Sequence, residues 1–117
     1  MDILVVPVNN DNFKDFYDLF DAEEYNQEIK WPINNLKNNL QIGSFVFFPE
    51  FRKIVRAYKV INIKDNYVIL SKAIADFSWK DWNYVANSQQ KTLSRNSYII
   101  TGEKTRAIYN FFNSKIN

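Results

Sequence analysis

Residues Phe45 to Leu70 read Phe-Val-Phe-Phe-Pro-Glu-Phe-Arg-Lys-Ile-Val-Arg-Ala-Tyr-Lys-Val-Ile-Asn-Ile-Lys-Asp-Asn-Tyr-Val-Ile-Leu. Phe45–Phe48 is a strongly apolar strand, and Pro49-Glu50 breaks it. Lys53–Ile63 is a second strand, long and β-branched. It ends at Lys64-Asp65-Asn66, where Asp-Asn supplies turn chemistry, and Tyr67–Leu70 returns as its partner. The long strand alternates Ile54, Arg56, Tyr58 and Val60 against Val55, Ala57, Lys59 and Ile61. Neither set is cleanly polar, so both faces must meet something, as in a small barrel.

Outward from this hairpin, Ile3–Val8 is apolar and β-branched and reads as a buried strand. Asn10 and Asp11 offer helix-capping oxygens. Phe13, Phe16, Tyr17 and Phe20 then recur at helical spacing and predict a core-facing stripe, with Asp15, Asp18 and Asp21 on a solvated face. Ala22–Lys30 has no clear period. Trp31-Pro32 punctuates the chain, and Ile33, Leu36, Lys37 and Leu40 suit a short helix ended by Gly43. Ser71–Asn83 is mixed, Asn87–Asn96 reads as a polar loop, and Tyr98–Thr101 is a last strand. A closing helix starts near Thr101 or Gly102, with Ala107, Ile108, Phe111 and Phe112 as its stripe.

The 117 residues make one domain, 1–117, and 46% hydrophobic content supports a core. There is no cysteine and no histidine. Disulfides, thiol catalysis, cysteine-ligated zinc and Ser-His-Asp sites are therefore excluded. No Gly-rich phosphate loop exists, because Gly43 and Gly102 stand alone. Hard-cation ligands need no fixed motif, so the aspartates leave a magnesium site open, but no cofactor is expected. No apolar run approaches the length of a membrane span, and no secretory leader is visible. The expectation is a cytoplasmic protein with no membrane partner.

Charge is divided along the chain. Residues 1–50 carry nine acids and three lysines, a net −6, whereas residues 51–117 carry twelve Lys and Arg against four acids, a net +8. Such asymmetry points toward a polyanionic partner. The basic half also holds Trp79, Trp82, Tyr84 and Tyr98. Cations neutralise phosphates while aromatic rings stack bases. Arg52, Lys53, Arg56 and Lys59 lie on and before the long strand. Trp79 and Trp82, three residues apart among polar neighbours, either line a pocket or fill a small core. The same choice holds for Trp31. Asp76 and Asp81 either meet a base edge or pair with Lys72 and Lys80.

Trp31, Leu40–Phe48 and Ile54–Ile63, followed late in the chain by Ser94-Arg95-Asn96-Ser97-Tyr98, form a pattern that resembles the PUA-like superfamily, in particular EVE and ASCH domains. Ser44 stands where those domains usually carry an acidic residue. The resemblance implies an α+β fold, a small PUA-like pseudo-barrel of about five to six strands with flanking helices. It further implies a pocket that takes RNA, or DNA with a modified base, between aromatic walls. Trp31 would sit beside that pocket, with Arg95 and Ser97 on its rim.

The expected function is thus a non-catalytic nucleic-acid-binding module, with Trp31, Arg52, Arg56, Trp79, Trp82, Arg95 and Ser97 as base- and phosphate-binding residues. The alternative is a protein-interaction or inhibitor protein of the kind mobile elements carry, docking through the acidic helix Asp11–Asp21. An ASCH-type enzyme acting on a small nucleoside ranks last, because no carboxylate–lysine pair singles itself out.

Overall fold

The long β-branched run becomes Ile54–Lys64, the hub strand of the computed structural model, which describes residues 1–33, 36–86 and 96–116. In chain order the elements are β1 (Ile3–Val5), α1 (Phe13–Glu24), β2 (Ile29–Pro32), β3 (Phe45–Glu50), β4 (Ile54–Lys64), β5 (Tyr67–Leu70), β6 (Ala75–Ser78), α2 (Trp79–Val85), β7 (Tyr98–Ile100) and α3 (Lys104–Ile116). The sheet order is β2-β5-β4-β3-β1-β7, with β6 also paired to β4. All strand pairs are antiparallel except β1 with β3.

The mixed faces of β4 have a different solution from the expected barrel. Among the described residues the sheet does not close, and β2 and β7 stand at its two ends. Helices cover both faces instead. Leu4, Val6, Val46, Phe48, Tyr58 and Val60 pack with Phe16 and Leu19 of α1 on one face. Ile3, Val5, Phe45, Phe47, Val55 and Ala57 pack with Trp82 of α2 and with Ile108 and Phe112 of α3 on the other. A strand apolar on both sides is satisfied equally by two covering layers, and alternation alone does not separate that from barrel closure. The α+β class stands; the pseudo-barrel does not.

Local readings shift for physical reasons. Of the short helix expected over Ile33–Leu40, the described residues 33 and 36–40 show no helical turn, and just before them Ile29–Pro32 is a strand with Ile29 and Trp31 buried and Lys30 and Pro32 exposed. Residues 36–42 are irregular. There the Leu40 amide donates to the nearby Asn38 side chain and the Asn39 amide to Asp2 at the other end of the sequence, so one local and one distant oxygen take amides that a helix would use. The cap of α1 is Asn12 rather than Asn10 or Asp11, and its side chain makes no capping bond. It accepts from the Asn9 amide and donates to the Pro7 carbonyl, tying down the loop before the helix. In α3, Thr105, Ile108 and Phe112 are buried, while Ala107 is exposed.

The β3–β4 connection is the strained part of the fold. The Lys53 amide donates to the Glu50 carbonyl at 2.9 Å, and the residues between, Phe51 and Arg52, have φ of 47° and 58°. Two successive left-handed residues are the pattern of a type I′ turn, which Asn-Gly fills at little cost. A bulky Phe and an Arg in that region cost of order 1–3 kcal/mol each.

Candidate nucleic-acid interface

The strained turn brings Phe51 up to α1. Its ring centre lies 6.0 Å from that of Phe13, which meets Tyr17 edge-on at 4.5 Å. Tyr17 in turn lies 5.7 Å from Phe20. Phe13, Tyr17 and Phe51 are 40%, 45% and 44% exposed, so three large rings form a continuous surface open to solvent. Exposed apolar surface gathered in one place marks an interaction site more often than a random remainder.

The periodicity of α1 explains why these rings are outside. Phe16 and Leu19 point into the core, and Phe20 is half-buried. The core stripe is therefore centred on Phe16, Leu19 and Phe20, and Phe13 and Tyr17 lie on its outer flank. This corrects the expectation that all four aromatic residues of the helix face inward.

Polar groups frame the rings. A cleft of about 280 Å³ opens beside Phe51, lined by Val8, Asn9, Asn10 and Asp11. Asn9 fixes this loop by accepting from the amides of Asp11 and Asn12. The side chains of Asn10 and Asp11 are exposed and offer an amide and a carboxylate. Next to Phe51 in the chain are Arg52 and Lys53, both exposed and without an ion pair among the described residues.

Arg56 is placed differently. Its guanidinium lies 4.1 Å from the centre of the Phe20 ring, and Nε is 3.4 Å from Asp76 Oδ1. The Tyr58 hydroxyl is buried within the field of the Arg56 and Glu23 charges, without a hydrogen bond of good geometry. Burial, and then the Glu23 carboxylate, push its pKa up to about 12. Asp81, the other acid near the tryptophans, pairs with Lys115 at 3.2 Å. Neither Asp76 nor Asp81 takes Lys72 or Lys80 as partner in an ion pair.

The seven residues singled out from sequence divide into groups. Trp31 is 7% exposed in the α1-side core, 5.1 Å from the Phe48 ring. Trp82 is 3% exposed in the opposite core, 4.8 Å from Phe47. The sheet separates them, so they form no common pocket. Trp79 is half-buried, and its amide donates to the Lys53 carbonyl, which ties the start of α2 to the strained turn. Tyr98 pairs with Val5, so Ser97, half-buried, lies at the end of the sheet that carries the turn. Arg52, Trp79 and Ser97 thus reach one end of the molecule. Arg95 lies outside the described residues. Phe13, Tyr17, Phe51 and Asn10 were not singled out from sequence as nucleic-acid-binding residues, and Asp11 was named only as the start of the acidic docking helix of the alternative; the available signal was Phe-Arg standing where a tight turn prefers Asn-Gly.

A second, larger cleft of about 380 Å³ lies between the end of α1 and β5. Three of its polar side chains, Glu23, Glu28 and Ser71, are engaged within the fold. Glu23 accepts from the Ala73 amide, Glu28 pairs with Lys64 at 3.3 Å, and Ser71 accepts from the Lys59 amide. Among the described residues no cluster of acids could hold a metal ion, and no helix is long and apolar enough to cross a membrane. No family model, curated protein or solved structure matches this chain.

Proposed function

We propose that this chain is a non-catalytic nucleic-acid-binding module whose aromatic surface is Phe13, Tyr17 and Phe51. The observation that carries this reading is the coincidence, at one end of the sheet, of three exposed rings with two exposed cations, Arg52 and Lys53, that make no ion pair among the described residues. Bases stack on the rings, which contributes about 1–3 kcal/mol per base. Phosphates lie toward Arg52 and Lys53, away from Asp11. The Asn10 amide and the Asp11 carboxylate face a base edge, and a carboxylate favours edges that donate, such as an exocyclic amino group. The PUA-like assignment rests on the sequence pattern at Trp31, Leu40–Phe48 and Ile54–Ile63, and the open sheet adds nothing to it.

Titration of labelled RNA and DNA oligonucleotides with wild type and with Tyr17→Ala tests the reading. Weaker binding by a folded Tyr17→Ala supports it, and unchanged binding refutes it. A second reading, a protein partner steered to the acidic side of α1, draws on the exposure of Asp15, Asp18 and Asp21. Charge reversal at Asp15 and Asp18 would abolish that contact without weakening oligonucleotide binding, since added cations beside the rings only raise attraction for phosphates.

A further inference from the structure

We infer that the Phe51–Arg52 turn is a preformed grip for a single strand, held in a strained backbone conformation so that one ring and one cation project together; this rests on the nucleic-acid reading above. Both residues have φ in the left-handed region, where neither is favoured. Nothing in the hairpin requires those side chains there. Phe51, 44% exposed, and Arg52, exposed, belong to neither of the two core clusters. Asn-Gly would close the same turn without strain.

What Phe and Arg do supply is contact. Phe51 joins the ring surface of α1 at 6.0 Å from Phe13 and also walls the Asn10–Asp11 cleft. Arg52, the next residue, is an exposed cation. A base stacked on Phe51 therefore has an aromatic surface on one side, a polar cleft on the other and a phosphate-binding cation one residue away. Such a grip needs a free base face. In a duplex those faces are already stacked, so the ligand is single-stranded RNA or DNA.

The test replaces the turn by the residues it prefers. Phe51→Asn with Arg52→Gly is compared with wild type by thermal unfolding and by anisotropy of a labelled oligonucleotide, single-stranded and as a duplex. The expected result is a Tm higher by roughly 5 °C together with single-strand affinity lower by about tenfold or more. Wild type should prefer the single strand. A more stable variant that binds as wild type does would overturn the grip. Arg52→Gly alone, which keeps Phe51, should also raise Tm, and an Arg52→Gly variant no more stable than wild type would overturn the strain. Equal wild-type affinity for duplex and single strand would overturn the ligand class. A wild type that binds no oligonucleotide removes the nucleic-acid reading and this inference together, and is told apart from the other failures by the wild-type titration alone.

Discussion

The Arg56 guanidinium lies 4.1 Å from the centre of the Phe20 ring, which commits the cation at the middle of the sheet to holding α1 in place. Its Nε also faces Asp76 at 3.4 Å. Arg56→Ala is expected to lower stability by about 1–2 kcal/mol in urea unfolding, from the lost ring contact and stem packing. The salt dependence of oligonucleotide binding should not change. A reduced salt slope in this variant would instead place Arg56 on a phosphate.

Arg52 should behave in the opposite way. Its side chain is exposed and makes no ion pair among the described residues, and its backbone is strained. Arg52→Ala should leave stability within about 0.5 kcal/mol. It should lower the slope of log affinity against log salt by about 0.7, the share of one phosphate contact on a single strand. Affinities measured across a salt series decide this.

The tryptophans report on the core rather than on the ligand. Trp31 and Trp82 are buried on opposite sides of the sheet. Replacing either by Ala should cost about 3–5 kcal/mol, read by denaturant unfolding. Oligonucleotide binding should leave their emission nearly unchanged. In Phe51→Trp, by contrast, a new emission component should be quenched as the strand binds.

Stability should be level across neutral pH and fall in alkali. No histidine is present to titrate near pH 6.5. Burial pushes Tyr58 and Tyr98 up to about 12, and Tyr109 is also raised. A raised folded-state pKa means that the folded protein holds its phenol protons after the unfolded chain has lost them. The stabilisation is complete below about pH 10 and is lost as pH rises toward 12. Tyr58 alone accounts for roughly 2–3 kcal/mol of that loss. Tyr58→Phe should remove its share. Because the hydroxyl has no good hydrogen bond, it should change neutral-pH stability by less than about 1 kcal/mol. Urea unfolding at neutral and alkaline pH checks both parts.

Strong local patterns in the sequence carried most of the fold. The apolar run at Phe45, the β-branched run from Ile54 and the Asp65-Asn66 turn all lie where their chemistry puts them. Asp65 takes the left-handed φ of 50° that such a turn needs. What stayed hidden depended on tertiary context. The alternation at Ile29–Pro32 spans only four residues, too few to outweigh Pro32 as a breaker. The two faces of β4 showed that both are covered and were silent on what covers them. The interface was less legible than the fold. Tryptophan in a polar stretch looked like a pocket wall, yet Trp82 reaches across its own short helix into the core. Phe13 and Tyr17 looked like core, yet a one-residue rotation of the stripe leaves them outside.

The most direct measurement is an anisotropy titration of a labelled single-stranded oligonucleotide with wild type and with the double variant Phe13→Ala, Phe51→Ala, at low and moderate salt. The predicted result is saturable binding by wild type that persists at moderate salt. The variant should remain folded and lose about tenfold to hundredfold in affinity, with an unchanged salt slope. Equal affinity for wild type and variant would contradict the assignment of the exposed ring surface as the nucleic-acid interface.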